Sequence, residues 1–305
     1  MTGVVSGWAP YGGRVLVVTN ELAGRTEAEA VESVLGVLRE TGDVETMTCG
    51  HAGDVDRILD ARRGRRLVVV GGDGSLHTMV GALLRRGEAA TCEVALIPLG
   101  TGNDFARGVG IPVDDLHAAA RIAAAGIAGP IDLIVADGDG VVINAVHVGA
   151  GAEAALKARP LKKHLKIAAF PIGAVLAGFT ASGWRLRVTV DGTVVSRGRR
   201  RVLMAGLSNA PTIAGGTGEL APVADPTDGL ADITVSFAVG PLARVGYALA
   251  LRKGRHPGRD DVIHRRGRDI HIEGDPFHVN ADGELAGPFR SRRWTVAQGA
   301  WLLVR

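Results

Sequence analysis

Two apolar runs that each stop at a glycine-rich turn constrain this chain more than any other feature. Residues 67–70 read Leu-Val-Val-Val and end in Gly71-Gly72-Asp73-Gly74-Ser75. Residues 94–97 read Val-Ala-Leu-Ile and end in Pro98-Leu99-Gly100-Thr101-Gly102-Asn103-Asp104. Short, wholly apolar runs are what strands look like when both faces of a parallel sheet are covered by helices. In such sheets ligands bind beyond the carboxyl ends of the strands, where both turns fall. Glycine lets backbone N–H groups approach phosphate closely, and the helix that follows presents a positive N-terminal end. Each turn also carries a carboxylate and a hydroxyl. The pattern therefore calls for a nucleoside triphosphate with a hard divalent ion such as Mg²⁺ held through carboxylate oxygen. Asp73 is the candidate for the metal–phosphate site. Gly71, Gly72, Gly74, Gly100 and Gly102 are the candidates for close backbone approach. Thr101 and Asn103 are expected to contact nucleotide or phosphate. Ser75 suits both phosphate contact and capping of the following helix, and Asp104 suits both a nucleotide contact and a helix cap.

The rest of the first half supports a sheet of this kind. Strand signals at residues 14–19, 44–48, 67–70 and 94–97 alternate with helical spacing at 26–39, 54–61, 76–84 and 114–125. The character changes near Gly129-Pro130. Beyond it lie short strand signals at 131–136, 141–146, 186–190, 202–208, 230–237, 262–264, 270–272 and 277–280, with hairpin turns such as Asp137-Gly138 and Asp191-Gly192. Helical stretches are expected at 151–159, 166–181 and 241–251. The expectation is an α/β domain followed by an antiparallel β-sandwich.

The two loops resemble those of the diacylglycerol kinase catalytic-domain family of lipid kinases, whose motifs are GGDGT and PxGTGNDFAR. Here the second stands as Pro98-Leu99-Gly100-Thr101-Gly102-Asn103-Asp104-Phe105-Ala106-Arg107. Phosphofructokinases and NAD kinases share the first motif only. The resemblance implies a three-layer α/β nucleotide-binding domain over residues 1–130, rejoined by the last strands at about 294–305, and a β-sandwich acceptor domain over 131–293. It implies ATP and Mg²⁺ as cofactors, a lipid alcohol as substrate, and an active site in the interdomain cleft. Asn280-Ala281-Asp282-Gly283-Glu284 matches the family's DGE motif. That makes Glu284 the implied general base toward a primary hydroxyl, with Asp282 holding the turn or a second metal shell. Asn20 ends the first strand where the family has Asn-Pro, with Glu21, Gly24 and Arg25 completing that loop. Thr48 stands where the family has a nucleotide-contacting threonine. The stretch 224–230, Ala-Asp-Pro-Thr-Asp-Gly-Leu, resembles one that binds a structural Mg²⁺ in bacterial members. The implied ligands are the Asp228 carboxylate and the carbonyls of Asp225 and Leu230. Ser208-Asn209-Ala210 and residues 215–218 match a stretch that lines the cleft. One departure stands out: His77-Thr78-Met79 replaces the usual Asn and Glu after the first motif.

Composition narrows the remaining choices. A chain of 305 residues can build two cores. Its 2 cysteines, Cys49 and Cys92, lack metal-ligand spacing and fit a reducing cytosol. The N-terminus shows no basic start followed by an apolar core, so no signal peptide is expected. Residues 167–184 are uncharged and about long enough to span a bilayer, but Pro171, Gly173, Gly178 and Gly183 interrupt them; a buried helix breaking near Ala181 is expected. The net charge is +3, with basic residues gathered at 157–166, 197–201, 252–259 and 265–268. Such clusters suit solvated loops or an anionic membrane surface. Nucleic acid is disfavoured because no aromatic residues are interleaved. A cytoplasmic, peripherally membrane-associated lipid kinase follows, and a homodimer is the common state for enzymes of this size. Two rival readings are a kinase of a soluble alcohol and a nucleotide- or lipid-binding regulator without turnover. No motif marks an acyl-chain pocket.

Overall fold

The computed structural model describes residues 13–20, 25–51, 53–138, 140–158 and 182–305. The N-terminal 12 residues, the loop at 21–24 and the expected helix at 166–181 lie outside them, as does most of the basic cluster at 157–166. Two compact units are present: residues up to Gly100 with Gly110–Pro130 and Trp301–Arg305, and Thr101–Val109 with Ile131–Ala300. The second glycine loop thus divides after Gly100. The chain's return to the first unit begins at Trp301, later than the expected position near Trp294.

The first unit runs β1 (Val15–Asn20), α1 (Arg25–Arg39), β2 (Val44–Cys49), α2 (Asp54–Ala61), β3 (Arg66–Gly71), α3 (Asp73–Arg85) and β4 (Glu93–Pro98), with α5 (Leu116–Ala125) following α4 (Asp104–Gly108) of the other unit. Parallel pairs join β2 with β1, β1 with β3, β3 with β4, and β4 with the end of the last strand at Leu302 and Leu303. Leu67, Val68, Val69, Leu96 and Ile97 are buried, as continuous apolar runs require. At the start of β3, Arg66 is only 2% exposed. Its guanidinium donates to the carbonyls of Ala123 (2.9 Å), Ala124 (3.2 Å) and Gly126 (3.1 Å) at the end of α5 and to Glu93 (2.9 Å). One buried cation thereby satisfies the orphan carbonyls of a helix C-terminus and matches its dipole.

The second unit contains β5 (Ala128–Ala136), β6 (Val141–Val142), β7 (Ala145–Gly149), α6 (Ala150–Ala158), β8 (Leu186–Val190), β9 (Thr193–Arg197), β10 (Met204–Ser208), β11 (Thr212–Ile213), β12 (Gly218–Glu219), β13 (Ala231–Ser236), α7 (Pro241–Arg252), β14 (Val262–Gly267), β15 (Asp269–Ala281) and β16 (Glu284–Val304). One antiparallel path runs β14-β13-β10-β7-β15-β16. The 13-residue strand β15 serves two neighbours: residues 270–274 pair with β8 and residues 279–281 with β7. Its register shifts between Glu273 and Phe277 make this possible, since bulges bend a strand toward a second sheet. The core between the layers holds Val146, Leu207, Ile233, Ile272, Phe277 and Trp294. The expected strand at 141–146 breaks at Ile143-Asn144, where the backbone amides turn to the carboxylate of Asp282.

Candidate active site

Four parallel strands end side by side in the first unit, at Asn20, Cys49, Gly71 and Pro98. Beyond three of these ends lies a cavity of about 410 Å³, lined by Asn20, Cys49, His51, Gly74, Ser75 and Thr78 among others. A volume of this order suits a small-molecule site. The first glycine turn builds its floor. Gly72 is extended and stands just before α3, so Asp73 begins the first helical turn. A Cβ at Gly71 would lie 2.6 Å from the Ser75 hydroxyl, so glycine is required there for the turn to close. At Gly74 a Cβ would meet nothing within 4 Å, which leaves the backbone at the helix N-terminus open to a ligand. The Thr78 hydroxyl donates to the Gly74 carbonyl at 2.9 Å and braces the turn, while Met79 is buried against the cavity wall. The departure His77-Thr78-Met79 thus replaces the family's polar pair with a brace and an apolar wall.

The loop after β2 contributes residues that sequence reasoning passed over. Thr48 is exposed and pairs in register with Thr19, while Cys49 and His51 line the cavity. The Asp54 carboxylate accepts from the amides of Gly50 (3.0 Å) and His51 (3.1 Å), which hold it below the usual carboxylate range. Burial, and then the nearby Asp54 charge, push the Cys49 thiol up, so it stays protonated near neutrality. The rule that ligands sit beyond strand ends was the signal that could have found this loop.

The second glycine loop is organised differently. Asn103 is buried with φ 53°, a left-handed conformation that asparagine tolerates. The Asp104 carboxylate receives the N–H groups of Gly215 (2.9 Å) and Gly216 (2.8 Å), and its carbonyl accepts from the Thr212 hydroxyl (2.7 Å). Ala214, Gly215 and Gly216 all have positive φ, so successive amides turn toward the anion as a nest. The structure therefore joins 101–104 to 214–216 within one unit, and Asp104 ties the two loops together. Asn209 adds a buried tie, donating to the carbonyls of Asp132 and Ile143, each at 2.9 Å.

Glu284 is the first residue of β16 and is exposed. Ala281 pairs with Glu284, and the two residues between, Asp282 and Gly283, have φ 46° and 92°. That is the primed two-residue hairpin that Asp-Gly favours. The Asp282 carboxylate accepts from the amides of Ile143 (2.6 Å), Asn144 (3.0 Å) and Ala145 (3.0 Å). Asp282 therefore holds the start of β7 against the turn, and Glu284 leaves that turn with its side chain in solvent. Nearby on β7, burial pushes the His147 imidazole down to about 4, against the pull of the Asp282 charge.

At residues 225–230 the Asp228 carboxylate, the implied Mg²⁺ ligand, already has partners within the chain. Asp228 Oδ1 accepts from the Leu230 amide at 3.0 Å, and its Oδ2 is paired with Arg266. Asp225 caps its own turn through Thr227, and the Gly229 amide donates to Asp132 at 2.6 Å. The guanidinium of Arg266 already neutralises the carboxylate implied as the Mg²⁺ ligand, so an ion there must first displace it. Among the described residues no group of three or more His, Cys, Asp or Glu side chains could hold a metal ion. Asp73 stands in the first turn of α3, and the next residue, Gly74, faces open space.

A second cavity, of about 160 Å³, lies in the second unit. Leu203, Met204, Ile213 and Leu251 line it together with His147 and Tyr247. The buried Tyr247 hydroxyl has no hydrogen-bond partner. The sequence had no mark for this cavity, because its lining comes from β7, α6, β10, β11 and α7.

Residues 14–136 match the family model for the diacylglycerol kinase catalytic domain, and residues 144–301 match that for the YegS C-terminal NAD kinase beta sandwich-like domain. The chain belongs to this lipid-kinase family. A diacylglycerol kinase of Mycobacterium tuberculosis (strain ATCC 25618 / H37Rv) is 29% identical over 292 residues, covering 90% of each chain. A protein of Pseudomonas aeruginosa named "Probable lipid kinase YegS-like" is 32% identical over 303 residues, covering 94% of this chain and 92% of its own. In fold, the crystal structure of a diacylglycerol kinase from Bacillus anthracis str. Sterne superposes with a TM-score of 0.72 at 21% identity, over 96% of both chains. As a lipid kinase the chain is an ATP-using phosphotransferase. Among the described residues no helix is long and apolar enough to cross a membrane.

Proposed function

We propose that this lipid kinase transfers the γ-phosphoryl group of ATP to the primary hydroxyl of diacylglycerol, giving phosphatidic acid and ADP. The observation that carries the reading is the cavity of about 410 Å³ at the ends of β1, β2 and β3, floored by the Gly71–Ser75 turn and opening on Gly74. Asn20, Thr48 and the loop at 50–51 border the nucleotide. The N-terminal turn of α3 faces its phosphates with backbone amides and the helix dipole. Thr101 and Asn103 are the candidates for phosphate contact in the second loop, and Asp104 positions that loop within its own unit. Asp73 is the carboxylate that would hold Mg²⁺, which when bound neutralises charge on the transferring phosphoryl group. Glu284 takes the proton as the lipid oxygen bonds to the γ-phosphorus and the bond to the ADP oxygen breaks. Its exposure leaves it able to meet an acceptor hydroxyl at ~2.6–3.2 Å, the reach a general base requires. The apolar cavity beside His147 and Tyr247 accommodates part of an acyl chain.

The test is incubation of purified protein with γ-labelled ATP, Mg²⁺ and a panel of diacylglycerol, monoacylglycerol, ceramide, sphingoid bases and prenols, with Glu284→Gln and Asp73→Ala as controls. Labelled phosphatidic acid from the unaltered protein alone supports the reading. Label only in a soluble alcohol, or ATP binding without transfer in any form, overturns it.

A further inference from the structure

We propose that the outer face of α7 docks on an anionic bilayer surface and sets the enzyme on the membrane that presents its acceptor. Leu242 is 88% exposed, Val245 56% and Leu249 58%. Single exposed apolar residues are ordinary on any protein surface, but these three share one helix at spacings of three and four, so they form a continuous stripe. Ala248 is exposed on the same face, whereas Tyr247 turns inward and is buried. Ala243 and Leu251 pack with it against the core.

The stripe is followed by three exposed basic residues, with the Glu219 carboxylate beside Gly254 as their acidic neighbour. Arg252, Lys253 and Arg255 are exposed at the C-terminal end of the helix, and α7, Pro-Leu-Ala-Arg-Val-Gly-Tyr-Ala-Leu-Ala-Leu-Arg, contains no acidic residue. The other cationic residues of the cluster at 252–259 are withdrawn: His256 is fully buried, and Arg259 is paired with Asp261 at 2.7 Å. What remains outside is an apolar stripe with a basic end. That is the chemistry of a helix lying in the plane of a bilayer, where leucine and valine enter the headgroup boundary and lysine and arginine meet anionic lipid. A soluble partner would need matching acidic groups, whereas the anionic leaflet supplies them without specificity. The helix's inner face lines the 160 Å³ apolar cavity through Tyr247 and Leu251, so the docked face lies next to a space suited to lipid. The inference rests on the proposed lipid acceptor for the claim that docking delivers substrate; docking itself is read out separately.

The experiment is co-sedimentation of the full chain with vesicles of phosphatidylcholine plus phosphatidylserine, and of phosphatidylcholine alone. The double variants L242S/L249S and R252E/K253E are compared, with phosphate transfer to a short-chain diacylglycerol in detergent micelles measured in parallel. The unaltered chain is expected to pellet with the anionic vesicles. L242S/L249S is expected to weaken binding at least about tenfold. R252E/K253E is expected to weaken it at least about fivefold per charge and only for the anionic vesicles. Both should keep their turnover in micelles. Equal pelleting of both variants and the unaltered chain overturns the proposal. So does a concentration-dependent dimer that L242S/L249S converts to monomer, because the occupant of the face is then a second copy. Vesicle binding that responds to both variants, with no phosphate transfer to any lipid, supports the docking surface and refutes the kinase reading instead.

Discussion

Removing the Asp282 carboxylate separates its role in holding the fold from any role in the chemistry. The side chain receives three backbone amides, from Ile143, Asn144 and Ala145. Hydrogen bonds to a charged group contribute about 1.5–3 kcal/mol each, and half-burial places these near the lower end, so three amount to roughly 5 kcal/mol. Asp282→Ala leaves all three donors unsatisfied. It also places alanine at φ 46°, which costs about 1 kcal/mol more than an aspartate that tolerates this region. The expected loss is therefore about 5–6 kcal/mol. Asp282→Asn keeps one acceptor oxygen and tolerates the turn. It retains the Asn144 and Ala145 bonds, loses the one from Ile143, and should lose only about 2 kcal/mol. Urea titration followed by tryptophan fluorescence reads both values, since Trp294 is buried in the core of this unit. A loss below about 1 kcal/mol for Asp282→Ala, or equal losses for the two variants, would refute the claim that these bonds hold the start of β7.

Other perturbations test the remaining assignments. Glu284→Gln should leave the urea midpoint within about 0.5 kcal/mol of the unaltered protein, because the residue is exposed, and lower kcat about 10²–10⁴-fold with ATP binding intact. Arg66→Met should destabilise the fold by about 3–5 kcal/mol, since Glu93 and the carbonyls at the end of α5 lose their partner; a circular dichroism melt checks it. His256 donates through Nε2 to the Leu220 carbonyl at 3.0 Å while its Nδ1 has no partner, and burial pushes its pKa down to about 4. As pH falls through about 6.5 the unfolded chain takes up a proton that the fold refuses, so stability is full above that pH and declines by roughly 2–3 kcal/mol toward pH 4. His256→Gln should flatten part of that decline in urea midpoints measured across the range, with His147 accounting for more of it. Arg266→Ala should lower the melting temperature, because Asp228 then loses the guanidinium it is paired with; an unchanged thermal melt refutes a stabilising role for that pair.

Local periodicity carried the first unit. Uniformly apolar runs could only be strands covered on both sides, and their alternation with 3.6-period stretches required a parallel sheet. The Asp-Gly pair at 191–192 likewise announced a primed hairpin, since few other pairs take positive φ twice. Where an element depended on a distant partner, local pattern stopped short. Residues 141–146 read as one strand, yet the chain breaks at Ile143-Asn144 because the carboxylate answering those amides is Asp282. Residues 270–280 read as two strands, yet they form one strand with a bulge, because two different neighbours supply its hydrogen bonds.

The same division runs through the site. The glycine turns, their carboxylates and the Glu284 hairpin are legible in the sequence because each owes its form to a few adjacent residues. The tertiary structure decided which polar groups remain available. Asp104 was equally suited to a helix cap and to nucleotide, and the amides of Gly215 and Gly216 engage it. Asp228, implied as a metal ligand, is reached by Arg266, and His256, counted within a basic surface cluster, is buried. Loop conformation follows from local sterics and is written in neighbouring residues. The partner of a charge is set by which segments the fold brings within about 3 Å, and that information exists only once the chain has packed.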